Sequence, residues 1–121
     1  MALNQLIATL TTSFSLNLGL IQREGVPVET FMDILRGSVL YTPTFDKKLA
    51  RMCDHNFANP NFPAKHLLKD INLFLQQAQA DNLNGEAIAG VRTIAEQTIA
   101  LCLANADYSA IYAAINPEDA G

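Results

Sequence analysis

The chain has 121 residues, the size of one domain, and half of them are hydrophobic, so it can bury a core. Charged residues make up 17% and the net charge is −4, with no run of three Lys or Arg, which excludes a disordered chain and a general nucleic-acid binder. The longest apolar-rich stretch, Leu3 to Ile21, is broken by Asn4, Gln5, Thr9, Thr11, Thr12, Ser13, Ser15 and Asn17, which suits a buried helix rather than a membrane span.

No basic segment precedes that stretch, so no signal peptide is expected. The two cysteines, Cys53 and Cys102, read as buried free thiols in a reducing compartment, the cytoplasm, with a disulfide between them as the lesser alternative. His55 and His66 have no neighbours spaced as metal ligands.

In chain order the elements are helices throughout; no alternating run reads as a strand. The first helix is expected from about Leu3 to Arg23, with Leu3, Leu6, Ile7, Leu10, Phe14, Leu18 and Ile21 on one stripe. Leu16 and Leu20 widen that stripe, so the helix should be enclosed on most sides. Gly25 suits the left-handed position after its end. Pro27 opens a short helix, Val28 to Arg36, with Phe31, Ile34 and Leu35 facing inward and Gly37 as its stop. Ser38 after it either lines a cleft or is an ordinary helix exit.

Thr42-Pro43 is a cap followed by proline at the first helical position, starting a third helix to about Met52. On it Asp46, Lys47, Lys48 and Arg51 read as a solvated face, and Met32 and Met52 as core gap fillers. Asp54 to Pro63 is a loop with three asparagines and two prolines. A fourth helix runs from near Pro63 to Ala80, burying Leu67, Leu68, Ile71, Phe74, Leu75 and Ala78. Its other stripe, Lys65, Lys69, Asn72 and Gln76, is polar. The bland account of Lys65, His66, Lys69 and Asp70 is a solvated face of i,i+4 pairs; the sharper one is a lysine at the edge of a cleft. Asn84 caps a fifth helix, Gly85 to Ala104, whose inward set includes Cys102. Asp107 caps a last short helix carrying Ile111 and Ile115, and Asn116-Pro117 ends it.

The stretch from Phe62 to Leu73, read as F, six residues, K-D-[IL]-x-L, resembles the second, helical domain of the β-hydroxyacid dehydrogenases. That family includes 3-hydroxyisobutyrate dehydrogenase, tartronate semialdehyde reductase and the glyoxylate/succinic semialdehyde reductases. The D-x-S-A ending followed by an aromatic is matched by Asp107, Ser109, Ala110 and Tyr112, and the glycine after the first helix by Gly25. The family's K-x-x-x-N at the domain start is matched only at Asn4. The lysine of that motif, the family's general acid, falls one position before Met1, so no catalytic residue is assigned within these residues.

The resemblance implies an all-α fold of about six helices around a long central N-terminal helix, like the C-terminal domain of 6-phosphogluconate dehydrogenase. It implies a domain at 1–117 with a tail at 118–121. The family's Rossmann domain and its glycine-rich phosphate loop find no match in the chain, since Gly85 and Gly90 make no such loop. By position it gives Asn4, Phe62 and Asp70 to the substrate and Lys69 to the cofactor, NADP or NAD, held mainly by the Rossmann domain. Each has a plainer reading: Asn4 as a helix-start polar residue, Phe62 as a core anchor. The implied function is part of an NAD(P)-dependent reductase of a small carbonyl acid such as glyoxylate or succinic semialdehyde, inactive as an isolated chain. It works as a homo-oligomer, a dimer or larger, with no nucleic acid or membrane partner. The alternatives are a standalone helical oligomerisation module derived from such an enzyme and a helical binding module unrelated to it.

Overall fold

The structure is a computed structural model and describes residues 2–118. Its elements are α1 (Ala2–Arg23), α2 (Val28–Arg36), α3 (Pro43–Asp54), α4 (Ala64–Ala80) and α5 (Glu86–Ala100), then a 3-10 turn at Tyr108–Ala110 that runs into α6 (Ile111–Ile115). Among the described residues the only extended pairing is one antiparallel bridge between Pro63 and Asp107, and no helix is long and apolar enough to cross a membrane. The all-α expectation therefore holds, with α1 packed against every other helix.

Local chemistry sets the boundaries. Gly25 turns the chain at φ 76°, in the left-handed region where a Cβ would be strained. Pro27 and Pro63 hold the residue before α2 and α4 extended, and Pro43 fills the first position of α3. Asn84 accepts the Glu86 N–H at 3.0 Å at the start of α5. Ser38 is the ordinary helix exit: its hydroxyl donates to the Leu35 carbonyl at 2.9 Å. Helix α5 stops at Ala100, four residues short of expectation, because the chain turns there and Cys102 takes a left-handed φ of 65°.

Two hydrophobic clusters share α1. One gathers Phe14, Leu18, Met32, Phe45, Met52, Phe57 and Tyr112, with the Phe14 and Phe45 rings stacked at 4.7 Å. The other gathers Ala8, Leu67, Ile71, Val91, Ala95 and Tyr108. Each large side chain buried this way contributes roughly 1.5–3 kcal/mol.

The faces of α1 differ from expectation. Its inward face is Ala8, Thr11, Phe14, Ser15, Leu18 and Gly19, while Leu3, Leu6, Leu10, Leu16 and Leu20 are exposed, Leu3 by 74%. Small residues are inside because α6 crosses closely: a Cβ on Gly19 would lie 3.3 Å from Asn116 Cβ. In α2 it is Met32 that is buried, while Ile34 is exposed by 71%. Cys53 and Cys102 are both exposed free thiols rather than buried ones. Cys53 sits in the last turn of α3 beside Gln22 Nε2 at 3.8 Å, and Cys102 lies on the turn past α5.

Candidate functional site

The fourth helix carries the charged residues of the sequence motif, and its geometry follows from its two faces. Ala64, Leu67, Ile71 and Ala78 are buried, which fixes the rotation of α4. Lys65, His66 and Lys69 are then exposed and Asp70 is turned part way in. Across the gap, the start of α1 presents Asn4. Its Nδ2 donates to Asp70 Oδ2 at 2.5 Å, a bond between residues 66 positions apart. Two of the residues expected at the substrate side are thus in direct contact. Asp70 accepts that single side-chain bond among the described residues, leaving acceptor positions to spare on a group with about four.

Lys69 is exposed and makes no ion pair or side-chain hydrogen bond among the described residues. A cation without a partner on an acidic chain suits an external anion such as a phosphate. Lys65 lies one helical turn earlier on the same stripe.

Phe62 ends the 54–63 loop. It is half-buried, packed on the Leu67/Ile71 cluster, with its ring 6.0 Å from His66 and 6.4 Å from Tyr108. It combines the anchor role with a partly open face. Concavities lie elsewhere too, among them one around Arg23, His55 and Asn116 and an apolar one around Leu10, Phe31 and Leu40. Asn4, Phe62, Lys69 and Asp70 line neither.

Behind Phe62 stands a second charged group that the sequence does not reveal. Lys48, expected on a solvated face, is buried. Its Nζ lies 3.0 Å from Asp107 Oδ2 and 4.7 Å from the centroid of the Tyr108 ring. Asp107 also accepts the Asn61 N–H at 3.1 Å, the Ser109 N–H at 3.1 Å and the Ser109 hydroxyl at 2.5 Å. Burial pushes the Asp107 carboxyl up, but the hydrogen bonds from Ser109 and Lys48 outweigh it, so its pKa stays below the ordinary carboxylate value. Burial likewise raises the Tyr108 phenol.

The rest of the expected charged face of α3 is also engaged. Asp46 pairs with Arg36 at 2.7 Å and accepts the Tyr41 hydroxyl, which together hold its carboxyl at about 2. Arg51 donates to the Ala58 and Asn59 carbonyls of the loop. Only Lys47 remains as a simple exposed charge.

No cluster of three or more His, Cys, Asp or Glu suited to a metal ion occurs among the described residues.

Comparison with known proteins bears on the family and the fold. Residues 1–115 match the family model described as NAD-binding of NADP-dependent 3-hydroxyisobutyrate dehydrogenase. Glyoxylate/succinic semialdehyde reductase 1 of Arabidopsis thaliana is 27% identical over 112 residues, covering 93% of this chain and 38% of that protein. The crystal structure of 3-hydroxyisobutyrate dehydrogenase from Salmonella typhimurium superposes with a TM-score of 0.76 at 17% identity, over 91% of this chain and 39% of that one. The chain therefore spans well under half the length of each of these two relatives, and its fold is that of the matching part of the Salmonella structure. With the family model matched from end to end of the helical stack, the chain belongs to the NAD-binding domain family of NADP-dependent 3-hydroxyisobutyrate dehydrogenase.

Proposed function

We propose that residues 1–117 are the helical domain of an NAD(P)-dependent reductase acting on a small carbonyl acid, glyoxylate or succinic semialdehyde in type; of the tail expected at 118–121, 119–121 lie outside the described residues. The observation that carries this reading is the Asn4–Asp70 hydrogen bond, which joins the start of α1 to the K-D motif beside an exposed Lys69. The cofactor, NADP or NAD, supplies the hydride when bound. Most of it would rest on a Rossmann domain; on this chain Lys69 is the residue that would touch it, as a cation for its phosphates. Asn4 has an amide to orient the substrate, Asp70 holds that amide in place, and the open face of Phe62 gives the substrate an apolar wall. A proton donor is not among these residues, so the chain alone is expected to be inactive. The setting that fits is cytoplasmic, with no nucleic acid or membrane partner.

The test is kinetic. Supplied with glyoxylate or succinic semialdehyde and NADPH, the purified chain is expected to show no turnover above background, and turnover would overturn the reading. In an enzyme completed by its dinucleotide-binding domain, Lys69→Ala is expected to raise the KM for NADPH with the melting temperature unchanged. A large stability loss at unchanged cofactor KM would make Lys69 structural.

The second reading, a helical module that assembles copies of itself, is favoured by the exposed leucines of α1. Both readings expect a dimer or larger. Light scattering decides that point, since a monomer mass near 13.2 kDa would show that the apolar face of α1 stays uncovered.

A further inference from the structure

We propose that Lys48 and Asp107 are a positioning pair that sets Phe62 and the opening turn of α4, and through them the substrate-facing edge of the domain. The functional half of this inference rests on the reading of Phe62 given above; the geometric half does not.

The two side chains are only 5% and 0% exposed. A buried ion pair is a weak way to stabilise a fold, because desolvating two charges offsets most of their attraction. Stability alone is therefore a poor account of why they are there. What the pair does hold is backbone. Asp107 Oδ1 takes the Asn61 N–H at 3.1 Å, and the Asp107 N–H donates to the Phe57 carbonyl at 2.9 Å. The Tyr108 N–H donates to the Phe62 carbonyl at 2.8 Å, and the Ala64 N–H to the Ala106 carbonyl at 2.9 Å. Phe62 is gripped on both sides by residues 106–108. The Asp107 carboxylate keys that segment in place, and the donors of Ser109 together with Lys48 from α3 let the carboxylate stay ionised indoors.

Lys48 also lies against the Tyr108 ring, which in turn lies edge-on to Phe62. The ammonium thus reaches Phe62 by two routes, one through backbone and one through rings. A neutral amide at 107 would keep an oxygen toward Asn61 but weaken that bond, since charge-assisted bonds are roughly twice as strong as neutral ones.

Amide hydrogen exchange by NMR on the 121-residue chain provides the test. The variants are Lys48→Arg, Lys48→Met and the double Lys48→Met/Asp107→Asn, which strands neither charge. In the double variant the Asn61 amide is expected to exchange about tenfold faster, while Val91 and Ala95 in α5 stay within about threefold. Lys48→Arg is expected to keep Asn61 within about threefold of wild type. Should Lys48→Met fail to fold, the double variant answers alone. Unchanged exchange at Asn61, an equal change at every protected amide, or loss of the fold in the double variant would each overturn the proposal. In the enzyme completed by its dinucleotide-binding domain, the double variant is expected to raise the substrate KM about fivefold and leave the cofactor KM within about twofold, since Lys69 lies beyond the opening turn of α4, which starts at Ala64. Equal shifts in both, or none, would overturn the functional half. A wild-type enzyme without reductase activity would sink the proposed function, and the exchange result would still judge the pair.

Discussion

Around Asp107 the carboxylate is finished: Lys48, Asn61 and both donors of Ser109 fill its acceptor positions, and no part of it meets water. Around Asp70 the carboxylate is open, with Asn4 as its one side-chain donor among the described residues and a partly exposed setting next along the chain from the exposed Lys69. The same functional group serves two ends. A saturated carboxylate can only hold structure, because it has nothing left to offer a ligand. An unsaturated one, held by a single neighbour, is restrained in direction and still has bonds to give. Partner count, rather than residue type, separates the scaffold from the candidate site.

The sharpest way to break this contrast is Asp107→Ala, which strands Lys48 and orphans the donors of Asn61 and Ser109. A loss of about 3–5 kcal/mol is expected in urea unfolding. A loss under about 1 kcal/mol would mean that the saturated region is no more important than a surface pair.

Acid should then probe the same carboxylate. Its folded pKa lies below its unfolded one, so as pH falls the unfolded chain takes up the proton first. The stability it contributes is complete above the unfolded value near 4 and is lost as pH falls through the folded value. Unfolding free energy is expected to be flat from neutral pH to about 5 and to fall below about 4. Asp107→Asn should flatten that fall, and an unchanged acid limb in the variant would rule Asp107 out as its source.

At the open carboxylate the effects shrink. Asn4→Ala removes one partly buried hydrogen bond and is expected to cost about 1 kcal/mol. A cost above about 3 kcal/mol would place the pair with the scaffold. Lys69→Ala is expected to change stability by less than about 0.5 kcal/mol, since it touches no partner in the described structure. Differential scanning calorimetry on both variants would show whether the ordering holds.

What was legible in the sequence was whatever is encoded locally. Pro27, Pro43, Pro63 and Gly25 mark helix ends by backbone geometry that any reader can apply, and the element order followed. The buried stripe of α4 was legible because Leu67, Ile71 and Ala78 repeat at helical spacing. The K-D motif was legible too, and with it Asn4 and Asp70, now in contact. Lys48 was not, because its partner lies 59 positions away and its own neighbours are charged. A local rule sees Asp46, Lys47, Lys48 and Arg51 as one wet face and has no means to send one of them inward. The inside of α1 was missed for a related reason. Hydropathy points the leucines inward, whereas the close approach of Asn116 at the end of α6 demands Gly19 there, and Ser15 meets Met52 of α3. The cysteines were placed by their average preference, and the turn after α5 overrode it.

The closure of α1 against α6 has a consequence for how the chain is born. Arg23 Nε donates to Asn116 Oδ1 and the Tyr112 hydroxyl to Gln22 Oε1, bonds spanning 93 and 90 positions. Helices α4 and α5, by contrast, are sequence neighbours packed on each other and close a short loop. During synthesis at 5–20 residues per second, α1 leaves the ribosome and waits roughly 5–20 s for the segment that completes its packing. It waits with Gly19 lacking its neighbour Asn116, while Phe14 can already pack on Phe31 and Phe45 of α2 and α3. The contacts between α1 and the segment after α5 are thus among the last of this domain to form.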